Sequence, residues 1–118
     1  MAHAAALCAD ATARFGLGGD SFVAEIASND GYLLRNFAAA GIPCLGVEPA
    51  ANVAASAIAA GVPTLVAFFG REEAARIVAE RGHADLVVAN NVLAHVPDVN
   101  DFVAGLALLA GPGGVVSI

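Results

Sequence analysis

Residues 25–31 read Glu25-Ile26-Ala27-Ser28-Asn29-Asp30-Gly31, and they decide the fold. The run before them, Phe22 to Ala27 (FVAEIA), is short, apolar and β-capable. The run after them, Gly31 to Ala40, carries Leu33, Leu34 and Phe37 as an apolar helical stripe. A strand that passes through a tight polar turn into a helix is the opening of a βαβ unit. Gly41 then ends the helix and Pro43 prevents its continuation.

The same alternation extends in both directions. A first helix spans Ala4 to Phe15 and closes at Gly16–Gly19. Strands are expected at Cys44 to Val47, Thr64 to Phe68, Asp85 to Ala89 and from Val115 to Ile118. Helices are expected at Ala51 to Ala60, Glu72 to Arg81 and Asp98 to Ala110, the last with Asp98 as its cap. Gly61 and Pro63 repeat the stop used after the preceding helix. Acidic residues in the first turn of the Glu72 helix and Arg81 in its last turn suit the helix dipole. Strands separated by helices of roughly 10–15 residues predict a parallel sheet covered on both faces. The fold class is therefore α/β, a Rossmann-like doubly wound parallel sheet in three α/β/α layers, with a single domain over 1–118.

Composition removes several function classes. The chain has 118 residues, of which 58% are hydrophobic and 14% charged, with a net charge of −6. It has no Lys, so it offers little to nucleic-acid phosphates or an anionic membrane surface. No run approaches the roughly 18–20 apolar residues of a membrane span. Met1 to Arg14 lacks a basic leader region, and a cytoplasmic setting is expected. Cys8 and Cys44 form no CxxC pair and read as two buried free thiols. No His, Cys and carboxylate set has metal-ligand spacing.

In an open α/β sheet a ligand lies outside the carboxyl ends of the strands. The turn after the first strand has one glycine, whereas a dinucleotide fingerprint needs three. Glu25 and Asp30 flank it, so a diphosphate would meet like charge. A cationic, phosphate-free ligand fits better, and S-adenosylmethionine is one: a sulfonium, an ammonium and one carboxylate. On this reading Glu25 and Asp30 face the cationic groups, and the backbone from Ala27 through Ser28, Asn29 and Gly31 faces the carboxylate. The plain alternative is an Asx-turn in which Asp30 caps the next helix. Glu48, followed by Pro49 about 20 residues beyond the turn, is placed for ribose hydroxyls; otherwise it is a solvated strand end.

Phe68 reads as core. Phe69 is open between core and a base-stacking role. Asn90 and Asn91 end the fourth strand, where two amides are costly to bury without partners. His95, in the loop after them, is a candidate proton acceptor or a structural histidine. His3 and His83 read as non-functional.

The motifs EIASNDGYLL, GIPCLGVEPAANVA, GVPT…FFG and ADLVVANNVLAHVPD together resemble class I S-adenosylmethionine-dependent C-methyltransferases of nucleotide-linked deoxysugars. The resemblance runs from about Val23 to the end of the chain. It implies S-adenosylmethionine as cofactor and a nucleotide-linked keto-sugar as small-molecule substrate. It also implies a three-part enzyme, with a Cys-rich zinc-binding region before this domain and a sugar-holding domain after it. The acid–base residues that remove a proton beside the sugar ketone would then lie mostly outside this chain, with His95 assisting. The isolated chain is accordingly expected to be inactive. Its end inside the fifth strand is read as a truncation, with self-association through the exposed sheet edge. An NAD-binding module and a non-catalytic binding domain are the alternatives.

Overall fold

The structure is a computed structural model that describes residues 2–89 and 98–118. Its elements run α1 (Ala2–Phe15), β1 (Val23–Ile26), α2 (Leu34–Ala39), β2 (Cys44–Val47), α3 (Ala51–Ala59), β3 (Thr64–Leu65), α4 (Arg71–Arg81), β4 (Leu86–Val88), α5 (Val99–Ala110) and β5 (Val115–Ser117). The five strands form one sheet in the order β3-β2-β1-β4-β5, and every pairing is parallel. The order reverses beside β1, which makes its carboxyl end the switch point.

Alternation along the strands sends apolar side chains to both faces. Val23, Cys44, Leu86 and Val88 pack with Ala4, Cys8, Leu34, Phe37 and Ala57, so α1, α2 and α3 cover one face. Ala24, Ile26, Val47 and Val87 pack with Ala74, Ile77, Phe102, Leu106 and Leu109, so α4 and α5 cover the other. The expected three layers are therefore present. Cys8 and Cys44 are free and buried in the first of these cores.

Two helix ends show why the glycine and proline positions were informative. Gly41 and Gly61 take positive φ, at 77° and 90°. Beyond them, Ile42 N–H donates to Phe37 O and Val62 N–H donates to Ala57 O, both at 3.0 Å. Each stop is a Schellman motif with an apolar residue clamped back onto the helix. The prolines that follow keep useful carbonyls: Pro43 O accepts from Val23 N at 2.9 Å, and Pro63 O accepts from Gly46 N at 2.9 Å. Each thereby starts the ladder for the next strand.

Two boundaries differ from expectation by three residues, and several others by one or two. The third strand was expected to reach Phe68 but ends at Leu65. It is an edge strand whose last register partner is Val47, where β2 itself ends, so nothing remains for Val66 onward to pair with. Phe68 is consequently not core: it is 83% exposed. The second helix was expected from Gly31 but begins at Leu34, because the chain is still turning through the positive φ of Gly31. Among the described residues, no helix is long and apolar enough to cross a membrane.

Candidate functional site at the carboxyl end of the sheet

The turn after β1 is tight because β2 holds it. Ala27 N–H donates to Val47 O at 2.8 Å, and Asn29 N–H donates to the Glu48 carboxylate at 2.9 Å. Ala27 and Asn29 adopt positive φ, at 58° and 56°, and Gly31 does so at 79°. Asparagine tolerates this region, whereas alanine pays roughly 1 kcal/mol or more for it. A Cβ on Gly31 would also crowd Val62 at 3.1 Å and Ala57 at 3.2 Å. The glycine therefore serves the turn and its packing against α3.

Glu48 is buried, with 6% of its surface exposed, and is not a solvated strand end. Its second oxygen accepts from Ala50 N–H at 2.9 Å. Each carboxylate oxygen keeps a further lone pair. Asp30 is exposed and accepts from Tyr32 N–H at 3.2 Å, so the Asx-turn is present. Gly31 N–H donates to Ser28 O at 3.1 Å. The Gly31 donor expected to meet a ligand carboxylate is thus engaged within the turn.

Glu25 is the third of four residues in β1 and is 8% exposed. Among the described residues, its Oε1 has no hydrogen-bond partner, and neither does the Oγ of Ser28. Burial first, and then the nearby Asp30 carboxylate, push the Glu25 pKa up to about 8.

A cleft of about 690 Å³ opens on the other face of the switch point. Its floor includes Ile26, Ala27, Val47 and Pro49, and its far side carries Phe68, Phe69 and the first turns of α4 and α5. The volume suits a small-molecule or cofactor ligand. Phe69 is partly buried and meets the Phe102 ring edge-on, with centroids 5.7 Å apart. Phe68 projects from the lip. The sequence reading named Phe69 but missed the first turns of α4 and α5 in this far wall. Its one sequence signal is a pair of glycines: a Cβ on Gly105 of α5 would lie 2.8 Å from the Gly70 backbone, so their absence lets α5 close against the start of α4. Glu72, Glu73, Asp98 and Asp101 make the wall acidic, with Arg76 paired to Glu73.

The structure thus brings Ala27, Pro49 and Phe69 into one cleft and joins Asn29 to Glu48. It sets Glu25 and Ser28 apart from that cleft, buried beside the turn. Asn90, Asn91 and His95 lie outside the described residues. His83 is a structural contact, its Nδ1 lying 2.9 Å from Leu108 O. No group of three or more potential metal ligands gathers among the described residues.

Comparison with known proteins agrees with this architecture. Residues 1–118 match a family described as a methyltransferase domain. The chain is 37% identical over 102 residues to the C-methyltransferase NovU of Streptomyces niveus, covering 86% of this chain and 24% of that protein. It spans about a quarter of that relative's length. Among solved structures, a SAM-dependent methyltransferase from Thiobacillus denitrificans in complex with S-adenosyl-L-homocysteine superposes with a TM-score of 0.66 at 21% identity, over 92% of this chain and 45% of that one. The sugar N-methyltransferase KedS8 from Streptoalloteichus superposes at 0.67 with 19% identity, over 96% of this chain and 45% of that one. At these identities the structural likeness establishes the fold, and the family match establishes that this chain belongs to the methyltransferase-domain family.

Proposed function

We propose that this chain binds S-adenosylmethionine across the carboxyl end of its sheet, as the cofactor-holding domain of a cytoplasmic methyltransferase. One observation carries the reading. Where a dinucleotide fold presents glycines and a free helix N-terminus to a diphosphate, this turn carries the Asp30 and Glu48 carboxylates, with Glu25 buried beside it, and keeps its Gly31 amide engaged. That charge suits a cation without phosphate. The structural neighbour from Thiobacillus denitrificans, held with S-adenosyl-L-homocysteine, supports the same ligand class.

On this reading Glu25 and Asp30 face the cationic groups. The remaining lone pairs of Glu48 take the ribose hydroxyls. Ala27 and Pro49 floor the nucleoside cleft and Phe69 lines its far side, with Phe68 able to cover the base from the lip. Asn90, with Asn91 beside it, reaches the methionine portion or the acceptor, and His95 accepts a proton or orients a substrate hydroxyl. The bound cofactor supplies an electrophilic methyl group on its sulfonium. Transfer to carbon is supported by the name of the Streptomyces niveus relative. A nucleotide-linked keto-sugar as acceptor rests on the sequence resemblance, and completing its site falls to further parts of the enzyme.

Calorimetric titration of the 118-residue chain with S-adenosylhomocysteine and with NAD tests the cofactor assignment. Binding of S-adenosylhomocysteine with no response to NAD is expected. Tight NAD binding without a response to S-adenosylhomocysteine would overturn the reading.

A further inference from the structure

The strand register shows what surrounds Glu25. Its partners are Gly46 on β2 and Val88 on β4, and neither offers a polar side chain. Gly46 has a second effect. A Cβ there would collide with the Ser28 hydroxyl, so Ser28 occupies the space that a side chain at position 46 would fill. Register partners in a parallel pair project to the same face, one strand spacing of about 4.8 Å apart. The Ser28 hydroxyl therefore lies over Gly46, on the face of the sheet to which Glu25 also projects. Both residues are more than nine-tenths buried, and each has an oxygen without a hydrogen-bond partner among the described residues. A buried polar atom left unbonded costs free energy, and two on one face at the end of β1 point to a further group there.

Burial and the Asp30 carboxylate both raise the Glu25 pKa, and the other charged groups described on this side of the sheet have partners. Asp10 and Arg14 of α1 pair with each other at 3.5 Å. Arg35 of α2 has an interaction of its own. Glu48 is held by two backbone amides. Asp30 is of like sign and adds to the effect of burial. The α3 helix and β4 carry no charge.

We propose that Glu25 and Ser28 form a proton-exchange seat, in which binding of the cationic cofactor expels one proton from the Glu25 carboxyl to solvent. This deepens the cofactor reading and rests on it. In the free protein the carboxyl is neutral and so tolerates burial among apolar residues. A ligand cation seated beside it reverses the preference and stabilises the carboxylate. Ser28, on the same face, can then donate to the carboxylate, a stronger acceptor than the neutral carboxyl. No other bond changes. The consequence is that cofactor affinity rises with pH, up to tenfold per pH unit, and levels off near pH 8, where the free carboxyl loses its own proton.

The test is calorimetry of the 118-residue chain with S-adenosylmethionine at pH 7, in phosphate and in Tris. These buffers differ in their heat of protonation, so the difference counts protons. Close to one proton released per ligand is expected for the natural chain and none for Glu25→Gln. Binding without proton release in the natural chain would overturn the exchange and leave the cofactor reading standing. Failure to bind at all would remove the reading beneath it. A ligand-free measurement gives an independent check. The native state keeps the Glu25 proton up to about pH 8, whereas the unfolded chain loses it near 4.5, so the folding constant should fall as pH rises between these values. Glu25→Gln, neutral and of the same shape, should lose that slope. An identical pH dependence in both chains would also overturn the proposal.

Discussion

The two ends of the sheet are built from similar residues and put to different use. At the amino end every named polar group is closed on a partner. The Asp85 carboxylate accepts from Phe22 N–H at 2.8 Å, and Phe22 O accepts from Asp85 N–H at 2.8 Å. Arg81 reaches from the end of α4 to donate to Cys44 O at 3.2 Å, with its guanidinium 4.9 Å from the centre of the Phe22 ring. At the carboxyl end two non-glycine residues sit at positive φ, and two buried oxygens lack partners among the described residues. A cleft opens beside them. The amino end fastens β1, β2 and β4 together, and the carboxyl end holds unused polar capacity that a ligand can satisfy. Strain and unsatisfied groups are tolerated at one end because the other supplies the cohesion.

Substitutions can break or sharpen this contrast. The largest effect is expected from Phe22→Ala, which empties a buried ring site and removes the surface under Arg81. It should cost about 3–5 kcal/mol of stability in denaturant unfolding, while folded molecules keep their cofactor affinity. Loss of affinity without loss of stability would reverse the assignment of the two ends. Glu48→Ala comes next and should weaken S-adenosylhomocysteine binding by about 1.5–3 kcal/mol in calorimetry. Because Glu48 also holds Asn29 and Ala50, some of that loss should appear as faster amide exchange across the turn. Unchanged affinity would reduce Glu48 to a brace for the backbone. Phe68→Ala is expected to move stability least, by under about 0.5 kcal/mol, as exposed positions do. It should still lower cofactor affinity measurably; equal affinity would mean that Phe68 does not cover the ligand.

The fold was legible because its signals are local. Apolar runs of the right length, Gly41 and Gly61 at helix ends and Pro43 and Pro63 before strands need no knowledge of neighbours. The errors arose where a neighbour decides. The end of β3 is set by the end of β2, and Phe68 fell outside the core for that reason. The turn at residues 27–31 was legible as a tight turn from its polar residues and its single glycine, and its charge is what suggests a ligand there. What sequence does not reveal is which groups spend their hydrogen bonds inside the protein. Glu48 and Asp30 do so, while the Oε1 of Glu25, only five residues before Asp30, has no partner among the described residues. The acidic far wall was also out of reach, since it depends on α5 meeting Gly70 across some 30 residues of chain.

The two thiols have a practical consequence. Burial pushes the pKa of both Cys8 and Cys44 up, so neither presents the thiolate that alkylating reagents attack. One lies on α1 and the other at the start of β2. The molecule therefore carries its own breathing gauge. Labelling of Cys8 reports how often the first helix lifts from the sheet, and labelling of Cys44 reports how often the core beneath it opens.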